Sequence, residues 1–361
     1  MKNEELFFLN NGDLWQFLAT DHRPIVVYGM GNGADKLLAR LARIGREPAA
    51  FFASDDFVRG QSFHGFRVFR FSEIKERFSD FIILVSFGSR QPDVMDNLFA
   101  MAEEHTLFLP DMPVAGEEDF TASFASVNKH NIQAAFDLLS DDLSRRIFKS
   151  VLQYKLTGDI RFLKDAHSTE EQDYGCLSDR RISIAVDAGA YTGDTARQMM
   201  KHFSSLEKIY AIEPDAKTFK KLQKFAADNN SATRILPINA ALWSSEGDGL
   251  FAASGNRNSS LLSSSYEHKD ISVPLVTIDA LMKEERVDYI KYDVEGAEKE
   301  ALLGSVQTIQ KDCPALAVSL YHRSEDIFDL PLFIHKVCKN RQFFLRRVHC
   351  LPAWEITLYV V

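Results

Sequence analysis

ISIAVDAGAYTG, residues 182–193, is the stretch on which the reading of this chain turns. The apolar run 182–186 predicts a buried strand. Asp187 is its acidic end, Gly189 and Gly193 make a turn, and 194–203 is the next helix. Glycines let backbone come close to a ligand, and a helix start is polarised toward negative charge. A strand, an acid, a glycine turn and a helix are how an α/β sheet opens a pocket for a nucleoside. A G-x-x-x-G alone is weak, since glycines also end strands for structural reasons. Its weight comes from the residues next along the chain: a strand ending in Glu213, then Asn239, then a strand ending in Asp293.

Toward the C-terminus, 209–212 predicts a strand ending at Glu213-Pro214. A carboxylate at a strand tip about 20 residues past a glycine turn is placed to hold a ribose diol. A helix over 216–229 and a strand over 234–238 come next, and Asn239 then either meets an adenine edge or caps a turn. A strand over 249–252 precedes the exposed, serine-rich 255–265, and 273–277 is another strand, leading into a helix from 278. The strand 287–293 ends in D-V-E-G-A-E, where Asp293 and Glu295 share a face of an extended chain. Two such carboxylates repel unless a cation or proton lies between them. Either they hold a divalent metal such as Mg2+, or Glu295 turns away to cap a helix over 298–309. The strand 315–320 ends in Tyr321-His322, and His322 there either faces the ligand crevice or is a satisfied surface histidine. After a helix over 326–338, strands 342–348 and 354–361 lie too close in sequence for a crossover helix, so they should pair antiparallel.

Toward the N-terminus, strands are predicted over 24–28, 49–53, 81–86 and 106–109, with helices over 34–44, 72–78 (capped by Ser72) and 92–104. This alternation implies a second, smaller, parallel Rossmann-like unit. Its turn, Gly29-Met30-Gly31-Asn32-Gly33, would cradle a dinucleotide phosphate, with Asp55 or Asp56 on a ribose, or serve only as scaffold; Lys36 stands where the usual third glycine belongs. The chain therefore divides into an α/β unit (1–125), a helical bridge and possible lid (126–180) and a larger α/β unit (181–361). In the bridge, 129–156 is helical with a break near Ser140, and 165–180 is a polar loop containing Tyr174.

The chain has 361 residues, of which 45% are hydrophobic and 26% charged, as in globular proteins. No apolar run approaches the roughly 20 residues of a membrane helix. A net charge of −9 argues against a nucleic-acid backbone as the main partner. Four scattered cysteines and an acidic N-terminal stretch suit a reduced, cytoplasmic protein. Pairing into a homo-oligomer is left open.

Seven strands, the last reversed by a terminal hairpin, match the pattern of class I S-adenosylmethionine methyltransferases. The motifs VDAGAYTGDT (186–195), IEP (212–214), NAAL (239–242), DYIKYDVEGAE (288–298), YHRSEDIFDLP (321–331) and the closing WEITLYVV resemble the FkbM-type methyltransferases over roughly residues 130–361. One departure is Tyr174-Gly175-Cys176, where the family often has a hydrophobic-proline run. The resemblance implies S-adenosylmethionine as cofactor, held by Asp187, Gly189, Ala190, Tyr191, Gly193, Glu213, Pro214, Asn239, Ala240 and Asp293. It implies O-methylation of a hydroxyl on a sugar, glycan or natural product, with Asp293 beside the sulfonium. His322 as base, or a metal on Asp293 and Glu295, would activate that hydroxyl. A non-catalytic nucleotide-sugar or partner-binding protein on the same scaffold is the alternative. A nicotinamide oxidoreductase is disfavoured by the missing glycine.

Overall fold

Short apolar runs punctuated by glycine turns build two sheets. The structure, a computed structural model, describes residue 6 and residues 12–229, 232–252 and 270–361; the predicted exposed stretch 255–265 lies outside these. In the first unit, β1 (Ile25–Tyr28), β2 (Ala50–Phe52), β3 (Ser62–Phe63), β4 (Phe66–Phe69), β5 (Ile82–Val85) and β6 (Thr106–Phe108) are ordered β3-β4-β2-β1-β5-β6. All pairs are parallel except the β3–β4 hairpin, which sequence reading missed. Ser72 lies inside the helix Phe71–Arg77 rather than capping it. Arg70 takes the cap position, and its N–H donates to the Glu73 carboxylate at 2.9 Å.

In the larger unit the strands are β7 (Ile184–Ala188), β8 (Lys208–Ile212), β9 (Arg234–Ile238), β10 (Ala241–Leu242), β11 (Gly247–Ala252), β12 (Asp270–Val276), β13 (Tyr289–Tyr292), β14 (Ala315–Ser319), β15 (Phe343–Arg347) and β16 (Ile356–Val360). Seven form the main sheet, ordered β15-β16-β14-β13-β7-β8-β9, and β10, β12 and β11 form a small separate one. Within the main sheet only β16 runs antiparallel to its neighbours, as expected from the short β15–β16 connection. β7 extends through Ala188, so Asp187 lies within the strand rather than at its tip. The helix expected over 298–309 is two helices, Glu298–Leu303 and Val306–Asp312. They break at Gly304, where a Cβ would come within 2.1 Å of the Trp243 carbonyl oxygen.

The bridge breaks as expected, into Lys129–Asp137 and Asp142–Thr157, with the Asp141 carboxylate capping the second through Ser144 N–H at 2.8 Å. It covers the edge of the main sheet: Ser140 and Ser144 hydroxyls accept from the Phe343 and Leu345 N–H groups of β15. The polar loop 165–180 holds a short helix, Glu170–Gly175, closed by reciprocal bonds between Thr169 and Gln172.

Strand side chains alternate faces, and the core has that same period. Ile25 and Val27 of β1 pack in a cluster private to the first unit. Val26 and Tyr28 join a cluster that also takes Ile290 and Tyr292 of β13. One apolar core therefore runs through both units. It is reinforced by a buried ion pair, Lys155 Nζ to Asp111 at 2.8 Å, and by an antiparallel bridge between Ser89 and Leu351.

Candidate active site

Six of the seven main strands run the same way, so their C-terminal ends share one edge. A cavity of about 660 Å³ opens there, within the usual range for ligand sites. The glycine turn, the tip of β8, the end of β13 and the segment after β14 form one wall. Tyr174 of the short helix, Ser89 and Arg90 of the first unit, and Trp354 and Glu355 close the other side.

Of the residues expected to bind cofactor, Gly189, Tyr191, Glu213, Pro214, Ala240 and Asp293 line the cavity. Asp187, Ala190 and Gly193 are buried and do not line it, and Asn239 is exposed away from it. Gly189 has φ +81°, and a Cβ on it would lie 1.9 Å from the Asp293 carbonyl oxygen, so only glycine lets β7 and β13 close here. Gly193, at φ +93°, begins the helix Asp194–His202 directly over the Phe225 ring. The buried Ala190 donates its N–H to Ile212 O at 2.9 Å, tying the turn to β8. Asn239 takes the turn-capping role: its Nδ2 donates to the Glu213 and Pro214 carbonyls at 2.8 and 3.0 Å, which fixes that tip.

Glu213 accepts one backbone N–H on each oxygen, from Tyr191 at 3.0 Å and Asp215 at 2.8 Å, leaving further acceptor capacity toward the cavity. Burial pushes its carboxyl up to about 7. Asp187 is fully buried, and neither of its oxygens accepts a hydrogen bond; burial raises it to about 6. Lys291, opposite Asp187 in the parallel register, donates instead to Asp293 Oδ2 at 3.0 Å. Asp293 Oδ1 accepts from Ser319 Oγ at 2.8 Å and Tyr321 OH at 3.3 Å. Burial would raise Asp293, but Lys291, His322 and Ser319 outweigh it and hold the carboxyl at about 2.

His322 does not reach the cavity. Neighbours along an extended chain face opposite ways, so Tyr321 at the wall places His322 behind it, with 0% of its side chain exposed. Its Nδ1 lies 3.0 Å from Glu298 Oε1, and its Nε2 lies 3.5 Å from Glu295 and 3.7 Å from Asp293. Burial lowers a histidine, yet these carboxylates raise it to about 10. It is held as an imidazolium, which cannot take a proton at neutral pH, so the expected base role is corrected. The groups that converge as metal ligands would are Asp293, Glu298 and His322, within 4.8 Å, rather than the expected Asp293 and Glu295. Within that cluster Asp293 is paired with Lys291 at 3.0 Å. Nor does Glu295 cap the helix after it: Ala297 takes the cap position with no side-chain bond, and Glu295 is among the residues lining the cavity.

Sequence reading missed Ser319, Tyr321, Arg90 and Trp354. Tyr321 carried a signal, because adjacent strand-end residues cannot both face one crevice. In the first unit, Gly33 is explained by packing: a Cβ there would lie 1.9 Å from Ser86 O. Asp55 and Asp56 are exposed in a single 3-10 turn.

A doubly wound α/β sheet with one reversed strand and a cavity at its carboxyl edge defines a methyltransferase fold. Residues 187–345 match the sequence profile of the methyltransferase FkbM domain. The crystal structure of methyltransferase FkbM from Methylobacillus flagellatus is similar over 94% of this chain and 90% of that one, with TM-score 0.71 and 21% identity. The likeness in fold thus includes the first unit. Fainter likenesses, with TM-score 0.32, are to Aeropyrum pernix fibrillarin in complex with S-adenosyl-L-methionine (14% identity; 50% of this chain, 67% of that) and to a Streptococcus mutans putative methyltransferase in complex with SAH (12%; 53% and 97%). No curated protein compared with the chain matches it. Among the described residues no helix is long and apolar enough to cross a membrane.

Proposed function

We propose that this protein transfers the methyl of S-adenosylmethionine to a hydroxyl of a sugar, glycan or similar small acceptor. The observation that carries the reading is the cavity wall itself. Glu213 stands with spare acceptor capacity beside a glycine turn, and Asp293 is fixed as an anion across from it. The residues fit the cofactor. Glu213 suits the ribose diol, Pro214 and Ala240 the adenine side, Gly189 and Tyr191 the amino-acid side, and the orphaned Asp187 supplies negative charge behind them.

The cofactor brings a methyl group already activated on a sulfonium. The chain's task is to align the acceptor oxygen, to exclude water and to present charge that need not reorganise. Asp293, pinned by Lys291, Ser319 and Tyr321, presents such a charge. Ser319 and Tyr321 hydroxyls, with the Trp354 face and the Arg90–Glu355 pair, offer mixed polar and aromatic surface to a polyhydroxylated acceptor. No divalent metal enters this reading, because the charges at Asp293 are already matched.

The test is transfer of tritiated methyl from S-adenosylmethionine to a panel of free sugars and glycosides, with and without chelator. Labelled ethers that form equally in chelator are expected. Label on amines alone would contradict O-methylation, and loss of label in chelator would contradict a metal-free reaction.

A further inference from the structure

Glu295 is the one carboxylate of the D-V-E-G-A-E turn that no other role absorbs. Its backbone sits at φ +55°, with Gly296 next at φ +97°. A side-chain-bearing residue stays in that strained region only where the surroundings impose it. Here they do: the Gly296 carbonyl accepts from Arg323 Nε at 2.9 Å, and Ala115, from the first unit, fills the space beside Gly296. The result holds Glu295 among the residues lining the cavity, its side chain 28% exposed, one carboxylate oxygen 3.5 Å from His322 Nε2 and neither accepting a hydrogen bond from a described residue. Asp293 is occupied on both oxygens. Glu298 is buried and accepts the Val294 N–H at 2.8 Å.

We propose that Glu295 is the general base that takes the proton of the acceptor hydroxyl. The assignment rests on the methyl-transfer reading above. In the step, the acceptor O–H bond breaks and its proton passes to the Glu295 carboxylate. The oxygen forms its bond to the methyl carbon as the carbon–sulfur bond breaks, its electron pair leaving the sulfonium a neutral thioether. The proton then leaves through the open side of the cavity. The groups facing Glu295 are Asp293 and Glu298 on its own segment, His322 and Tyr321 after β14, and Glu355 before β16, itself paired with Arg90. Burial and the three carboxylates raise Glu295 to about 8, against the pull of His322. A cation arriving in the cavity favours the ionised form and so lowers it.

Calorimetry of S-adenosylmethionine binding at about pH 7.5, in buffers of different ionisation enthalpy, reads this directly. Binding should release more protons from the wild type than from E295Q. S-adenosylhomocysteine, which lacks the positive charge, should show little difference between the two proteins. Methyl transfer at saturating cofactor should fall by roughly 10²–10⁴-fold in E295Q, while S-adenosylmethionine affinity should fall only by the few-fold that the lost, proton-linked carboxylate supplies. Equal proton release by both proteins, or undiminished turnover, would overturn the assignment. Absence of cofactor binding by the wild type would instead remove the methyl-transfer reading beneath it. Should E295Q fail to fold, E295D keeps the carboxyl and must still release the proton; if it does not, the assignment fails.

Discussion

Asp293 keeps its charge because Lys291, Ser319 and Tyr321 hold both its oxygens, and His322 keeps its proton because Glu298 and Asp293 flank it. Removing one partner of such a buried cluster strands the others, so His322→Ala should lower stability by about 3–5 kcal/mol in urea unfolding. The raised histidine sets the sign of the pH effect. Its folded value, about 10, exceeds the ordinary 6.5, so its stabilisation is full below 6.5 and is lost as pH rises through about 10. Unfolding free energy should fall across that window in the wild type and fall less in His322→Gln. Glu213→Ala removes an acceptor with a partner on each oxygen and should weaken S-adenosylhomocysteine binding by roughly 10–100-fold; unchanged affinity would refute the ribose assignment. That Glu213 and Asp293 come to the cavity was legible because both follow the last residue of a buried parallel strand, whose carboxyl ends share one edge. His322 was misread because which face of a strand end it takes depends on the three-dimensional path of the chain.

At the scale of elements, the strands and helices arise from apolar runs and glycine punctuation. Some local signals were present but unread. His64-Gly65, both at positive φ, is a two-residue hairpin turn, and Thr169 with Gln172 is a capping box. Why residue 304 must be glycine was not readable, because the atom a Cβ would strike is the carbonyl of a residue far back along the chain, Trp243. The glycine turn gives the sharpest prediction at this scale. Gly189→Ala must drive a Cβ into the Asp293 carbonyl at φ +81° and should cost roughly 2–5 kcal/mol, with loss of cofactor binding. A melting temperature equal to wild type would show that β7 and β13 do not meet as described.

For the whole molecule, the division into units is a division of sheets more than of cores, since Val26 and Tyr28 share a cluster with Ile290 and Tyr292. Calorimetric unfolding should show one cooperative transition, and residues 129–361 produced alone should aggregate; two separated transitions would contradict this. This coupling is where sequence reading stopped. The bridge of Ser89 to Leu351, and of Ala115 N–H to the His322 carbonyl at 2.8 Å, join positions hundreds of residues apart with no local signature. They also explain why the first unit reaches the cavity through Ser89 and Arg90.

Everything proposed for this protein requires that the tips of β7, β8 and β13 surround one nucleoside. A crystal structure of the protein grown with S-adenosylhomocysteine would decide it. The prediction is density for the ribose within hydrogen-bond reach of Glu213, and for the thioether beside Asp293. Density at another place, or an empty cavity at saturating ligand, would contradict it.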